Sequence, residues 1–214
     1  MTFDNLTRRI NTFFRLATEA ESVPKASKDV DTILKTLSKL ETYTARVEYA
    51  EKCLDHLSSG SSRLILTMPD GKEVMKLAKN DRGVAQNIVE SKVKSRYVNQ
   101  TTSSDPKGVW KLSPFLDKIT EKEFKEIVGC SFKDFGEAIR YGLKDISGSD
   151  VKKPKDFSDI EKLEIYREII SVAKKHDLMP GDLARISSYG QVGGRPIILD
   201  AGLTKDIYDE FYEN

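Results

Sequence analysis

A turn signal between two short apolar strands, followed at once by a helix, most constrains what this chain can fold into. Residues 63–68 and 73–77 are β-type runs, and Pro69-Asp70-Gly71 between them is typical of a hairpin turn. An apolar pattern with capping side chains just before it predicts a helix over 82–96. This order predicts an α+β protein in which a helix packs on an antiparallel sheet.

Helical patterns flank this unit on both sides. Apolar residues at helical spacing predict an amphipathic helix over 3–17 and a second helix from about residue 27 to Leu57. Ser158 and Glu161 match a capping box at the start of the longest later helix. The elements predicted after the hairpin unit are a strand at 110–115, helices at 121–128, 132–141, 158–175 and 204–212, and a strand pair at 189–192 and 195–199.

These patterns predict three segments. Residues 1–57 form an N-terminal helical extension, which is a candidate surface for a protein partner. Residues 58–116 form a small β-rich lobe with one helix. Residues 117–214 form a mainly helical lobe that carries the predicted metal site.

Composition limits the classes of function. The 35 basic residues nearly cancel the 34 acidic ones, so nucleic acid is not an expected partner. The two cysteines, Cys53 and Cys130, form no CxxC pair, and the two histidines lie far apart, which argues against a zinc site. The sequence has neither a basic-then-apolar leader nor an 18-residue apolar run, so we expect a cytoplasmic protein without a membrane span.

Between Gly60 and Leu203, glycine, basic and acidic residues occur in a specific order along the chain. Gly60 in Gly-Ser-Ser-Arg precedes the hairpin, Lys76 lies in its second strand, and Glu90 lies in the next helix. Glu90 has no acidic competitor between Asp81 and Asp105. Further on, the chain has two more acidic blocks: His176-Asp-Leu-Met-Pro-Gly-Asp182, and Leu-Asp-Ala-Gly-Leu over 199–203.

Over residues 57–203 this order resembles the protein-kinase superfamily. It is most similar to the aminoglycoside-kinase-like branch and to compact kinase-like proteins encoded by tailed phages. The resemblance implies a shortened two-lobed fold that uses ATP and Mg²⁺ to phosphorylate an unidentified acceptor, in the host cytoplasm or in a virion if the protein is phage-encoded. In such a fold catalysis depends mainly on positioning and charge neutralisation.

The resemblance also implies roles for individual residues. A strand lysine contacts phosphates, a helix carboxylate holds that lysine, and hard carboxylate oxygens bind the metal ion. The implied site residues are Gly60, Ser61, Ser62, Lys76 and Glu90 for cofactor binding, Asp182 and Asp200 for Mg²⁺, and Asp177 and Asp182 for catalysis.

Plainer interpretations stay open. Gly60 is equally suited to end the preceding helix, Asp177 to be a surface residue at a helix end, and Asp182 to cap a turn. The single glycine near residue 60 and the short stretch after Gly202 favour an inactive pseudokinase. A structural or assembly protein acting through protein contacts is the remaining alternative.

Overall fold

The computed structural model describes residues 22–212 and consists of helices and antiparallel sheet, which confirms the predicted α+β class. The helix predicted over 3–17 lies outside the described residues. Within residues 22–212, no helix is both long and apolar enough to cross a membrane.

Where the sequence predicted one helix from about residue 27 to Leu57, the chain forms two helices and a strand. Helix α1 spans Val30–Lys39, helix α2 spans Tyr43–Cys53, and strand β1 spans Asp55–Ser59. Leu40 is extended, and the Thr42 side chain accepts a hydrogen bond from a backbone N–H of the next helix. A new N-cap therefore divides a continuous apolar pattern.

The sheet is antiparallel throughout. The remaining strands are β2 Arg63–Thr67, β3 Glu73–Ala78, β4 Ser103–Ser104 and β5 Trp110–Pro114, and the spatial order is β1-β2-β3-β5-β4. The predicted hairpin turn is present, with Gly71 at φ 70° and the Met68 N–H donating to the Glu73 carbonyl.

Helix α3 spans Asp81–Lys92 and buries a polar face. Asn80 caps it, as one of the two predicted capping residues, and the buried positions on it are Gly83, Gln86, Asn87 and Glu90. A Cβ atom on Gly83 would lie 2.2 Å from the Ser62 carbonyl oxygen. The helix therefore lies directly against the turn between β1 and β2.

The second part of the chain is mainly helical. Its elements are α4 Glu121–Val128, α5 Phe132–Gly142, α6 Lys144–Ser147, α7 Phe157–Ile160, α8 Glu164–His176, α9 Pro180–Leu183, strands β6 Tyr189–Val192 and β7 Arg195–Ile198, and α10 Lys205–Tyr212. The single helix predicted over 158–175 was wrong. Leu163 is extended between α7 and α8, and Asp156 stands at the N-cap of α7, so the Ser158–Glu161 capping box is not formed.

Two hydrophobic clusters support these parts. One lies between helices α1 and α2 and the sheet, and the other fills the helical part around the rings of Phe124, Phe132 and Tyr189. The β6–β7 hairpin joins the two parts, because Val98 bridges to Ile198 and the connection after β5 bridges to β6. This docking places the residues after β7 opposite strand β3. A division at residues 57 and 116 remains a prediction.

Candidate active site

Lys76 and Glu90 form the predicted ion pair. Lys76 projects from β3 and Glu90 from α3, and the ammonium nitrogen lies 2.7 Å from Glu90 Oε1. The same nitrogen donates a hydrogen bond of 2.6 Å to the Leu199 carbonyl oxygen. Lys76 therefore connects the sheet, helix α3 and the segment that follows β7.

Glu90 holds two further cations. Lys111 Nζ lies 2.8 Å from Oε1, and Arg63 Nη1 lies 2.6 Å from Oε2. Burial alone would raise the pKa of Glu90, but Lys111, Lys76 and Arg63 hold it well below its usual value. Glu90 is thus a buried, ionised carboxylate that three basic side chains surround.

Arg63 and Lys111 were not among the predicted site residues. Lys111 stands directly opposite Lys76 in the β3–β5 pairing, and it is fully buried. Basic residues inside apolar strands were the available signal, because a charged strand residue is buried only where it has a partner.

Asp200 follows β7 and lies beside the same cations. The Arg63 Nη2 donates to its Oδ1, and the Lys76 nitrogen is 3.8 Å from that oxygen. Burial opposes ionisation of Asp200, but Arg63 and Lys76 lower its pKa below the ordinary value. Its side chain remains 39% exposed, so a ligand can reach it.

Asp182 lies close enough to Asp200 for the two charges to interact. Asp182 is half-buried in α9. Burial is the larger cause, and the Asp200 charge the second, of a pKa raised above the ordinary value of a carboxyl. Arg185 lies 3.5 Å away on the exposed side. The two carboxylates therefore differ in charge environment, since Asp200 is paired with buried cations and Asp182 is not.

Asp177 ends helix α8 and is exposed. It has φ 51°, and it is the only non-glycine residue with positive φ in the range 22–212. Its carbonyl oxygen accepts a hydrogen bond from the Lys205 N–H at 2.9 Å. The backbone of Asp177 thus fixes the start of α10, while its side chain is free to meet solvent or substrate.

The turn at Gly60, Ser61 and Ser62 points towards helix α3. Ser62 Oγ donates to Gln86 at 2.7 Å, and Lys79 Nζ donates to the Gly60 carbonyl oxygen at 2.8 Å. Among the described residues, the lining of the main cleft includes Ser58 but none of these three. Phosphate contact by this turn remains a prediction.

A cleft of about 510 Å³ opens between the sheet and the helical part. Lys76 and Asp200 lie in its wall, and Ile65, Val74 and Leu199 give it an apolar surface. Ser113 lies at its buried side, and the Ser113 hydroxyl has no hydrogen-bond partner among the described residues. The cleft thus combines apolar walls, a few charged side chains and an unsatisfied polar group, as small-molecule sites do.

The protein donors suit Mg²⁺ where phosphate oxygens or water complete its shell. No group of three or more potential protein ligands occurs within residues 22–212. Mg²⁺ commonly takes one or two carboxylates and completes its shell with phosphate oxygens and water. Asp182 and Asp200 fit that pattern, and the cleft that Asp200 lines has room for a nucleotide.

The chain shows only limited similarity to known proteins. No protein-family model matches the chain, and no curated protein matches it. A choline/ethanolamine kinase family protein from Mesorhizobium loti is 16% identical with a TM-score of 0.34, over 79% of this chain. The streptomycin–ATP complex of APH(2″)-IIa is 14% identical with a TM-score of 0.32, over 72% of this chain.

The chain spans 63% of the first of these structures and 68% of the second. The first is named as a kinase family protein and the second as a complex with streptomycin and ATP, and likeness of this degree leaves the case for function to the site's own geometry.

Proposed function

We propose that the protein is a kinase-like phosphotransferase that uses ATP and Mg²⁺. One observation carries the proposal: Lys76 is held by Glu90 and by the Leu199 carbonyl at the wall of a nucleotide-sized cleft, beside Asp200. A buried lysine fixed in this way is a preorganised cation for phosphate oxygens.

The cleft supports a nucleotide in a defined direction. Ile65 and Val74 cover the base from the sheet, and the Ser113 hydroxyl meets a polar edge of the base. The phosphates then extend towards Lys76 and Asp200. This direction brings the negative charge of the triphosphate to the basic cluster and leaves the apolar wall to the base.

Asp182 and Asp200 would hold Mg²⁺, which neutralises charge on the transferring phosphoryl group when bound. An acceptor hydroxyl attacks the γ-phosphorus, its proton passes to the Asp177 carboxylate, and ADP leaves. Asp177 is exposed, which suits contact with a substrate from solution. The turn at 60–62 completes the phosphate contacts in this proposal.

A second candidate is a pseudokinase that binds nucleotide or protein without catalysis. The contact between Arg63 and Asp200 favours it, because an arginine already occupies the carboxylate that the metal needs. The turn at Gly60 favours it as well, because it is not part of the cleft's lining.

A thermal-shift titration with ATP and MgCl₂ tests nucleotide binding. Ligand at 100 times its dissociation constant stabilises a protein by about 2.7 kcal/mol, which raises the Tm of a chain this size by roughly 5–10 °C. Lys76→Met keeps the aliphatic stem and should remove the shift. Lys72→Met, an exposed lysine in the hairpin turn of the same sheet, is the matched control and should keep it.

ADP formation separates the two candidates. If the protein is an enzyme, it forms ADP from ATP with an acceptor or with water. Asp200→Asn should then abolish ADP formation while the protein remains folded. A pseudokinase shows the shift without ADP formation. Absence of any shift in the wild-type protein at millimolar ATP and MgCl₂ contradicts both.

A further inference from the structure

The guanidinium group of Arg63 spans two carboxylates. Its Nη1 lies 2.6 Å from Glu90 Oε2, and its Nη2 donates to Asp200 Oδ1. Arg63 is 5% exposed and its contact with Glu90 is buried, whereas its contact with Asp200 lies at the edge of the cleft. A planar fork that reaches two acceptors is geometry that arginine provides and lysine does not.

The cluster already holds more positive than negative charge without a metal ion, because three cations face two carboxylates. Arg63, Lys76 and Lys111 face the carboxylates of Glu90 and Asp200. A divalent cation at Asp200 Oδ1 would be repelled by the guanidinium charge and would compete with it for the lone pairs of that oxygen. Arg63 and a divalent cation therefore compete for Asp200.

The two arms of Arg63 are anchored unequally. Nη1 also lies 3.4 Å from Asn87 Oδ1, so that arm is held by helix α3. The Nη2 arm reaches Asp200, which follows β7 and keeps 39% of its side chain exposed to the cleft. The Asp200 contact can thus be given up while the Glu90 contact stays.

We propose that Arg63 is an internal counter-ion that holds Asp200 in place of a divalent cation, and that metal binds Asp200 only when Arg63 releases it. This inference rests on the proposed function where it takes Asp200 as the metal ligand. Arg63 is then a positioning residue that makes metal binding weak in the absence of nucleotide phosphates.

Manganese binding tests the inference without requiring activity. Mn²⁺ is titrated into the full chain, and the free ion is followed by electron paramagnetic resonance. Arg63→Gln should bind Mn²⁺ about 10-fold or more tightly than wild type, because a charge-assisted competitor is gone. Arg167→Gln removes an exposed arginine of α8 and should bind as wild type does. The double variant R63Q/D200N should lose the gain.

Two further variants make the result decisive. Arg63→Lys keeps the positive charge beside Glu90 but lacks the second arm, so it should also bind Mn²⁺ more tightly than wild type, and it serves if R63Q does not fold. Equal Mn²⁺ affinity in wild type and the Arg63 variants, tighter binding in wild type, or binding in none of them overturns the inference.

The outcome is independent of nucleotide binding. A thermal shift with ATP together with unchanged Mn²⁺ affinity in R63Q means that the inference fails and the proposed function stands. Tighter Mn²⁺ binding in R63Q without any nucleotide shift means the reverse.

Discussion

Lys76 and Glu90 are separated by 14 residues in the chain, yet their charged atoms lie 2.7 Å apart and both side chains are almost inaccessible to solvent. The pair joins the central strand of the sheet to helix α3. Water is excluded around it, so the charges cannot be solvated if the pair is broken. The interaction therefore couples the stability of the fold to the integrity of the site.

Glu90→Gln should strongly destabilise the protein. The substitution removes the negative charge that Arg63, Lys76 and Lys111 share, and the three cations remain buried. Removal of one partner from a buried ion pair lowers the free energy of unfolding by about 3–5 kcal/mol. Urea denaturation at pH 7 measures the change.

Glu164→Gln is the matched control. Glu164 pairs with Arg96 at the surface, where both side chains are about half exposed. Surface pairs contribute about 0–1 kcal/mol. A loss for Glu90→Gln no larger than the loss for Glu164→Gln contradicts a structural role for the buried cluster.

Gly83→Ala should move helix α3 away from the turn between β1 and β2. The new Cβ atom would lie 2.2 Å from the Ser62 carbonyl oxygen, which is backbone and cannot rotate away. Overpacking of this kind costs about 1–3 kcal/mol. The shift of the helix also pulls Glu90 from Lys76, so the nucleotide-induced rise in Tm should shrink.

Gly181→Ala provides the comparison for that variant. No heavy atom lies within 4 Å of a Cβ at Gly181, and its φ is negative. The stability of this variant should be unchanged or higher by up to about 1 kcal/mol, since alanine restricts the unfolded chain. Equal stability of the two variants would mean that helix α3 can shift at Gly83 without a loss of stability.

Local patterns predicted the parts of the fold that depend on neighbouring residues. The hairpin at Gly71, the cap at Asn80 and the end of the helix predicted over 121–128 follow from turn and capping chemistry, and all three are present. The breaks at Leu40 and Leu163 were missed, because each lies inside an unbroken apolar period. After Leu40 the Thr42 side chain caps a new helix, whereas no side-chain cap marks the start of α8 at Leu163.

The site was predictable where one residue had one plausible partner. Glu90 is the sole acidic residue between Asp81 and Asp105, and it is paired with Lys76. Arg63 was missed because its contacts with Glu90 and Asp200 depend on the distance between strands and on docking of the β6–β7 hairpin. The spacing of residues along the sequence indicates neither the distance between the strands nor the docking of the hairpin.

Ser113→Phe should weaken nucleotide binding. Ser113 is buried at the cleft, so a phenyl ring at this position occupies volume that the proposed base needs. A pocket that lacks room for part of its ligand loses roughly 10-fold or more in affinity. Isothermal titration with ATP and MgCl₂ measures the loss, and the Tm of the ligand-free variant reports any damage to the fold.

Ser113→Ala separates the space from the hydroxyl. The alanine keeps the room in the cleft and removes a buried hydroxyl that has no partner in residues 22–212. Its fold should be at least as stable as wild type, and ATP should still bind more tightly than to Ser113→Phe. Unchanged affinity in Ser113→Phe would place the nucleotide elsewhere.

Asp182→Asn should stabilise the protein at neutral pH. Burial and the Asp200 charge raise the pKa of the Asp182 carboxyl above its ordinary value of 3.8. The folded state then binds more protons at this group than the unfolded state, so stability falls as pH rises from 3.8 through the folded pKa. Removal of the charge should recover about 0.5–1 kcal/mol at pH 7. The gain should shrink towards pH 3.8 and below, where the carboxyl is protonated in both states.

Urea denaturation at pH 7, 5 and 4 measures the change in stability of Asp182→Asn. Asp159→Asn is the control, because the Asp159 side chain is 83% exposed. A loss of stability in Asp182→Asn at pH 7 would show that Asp182 gains more from Arg185 than it loses to burial and Asp200.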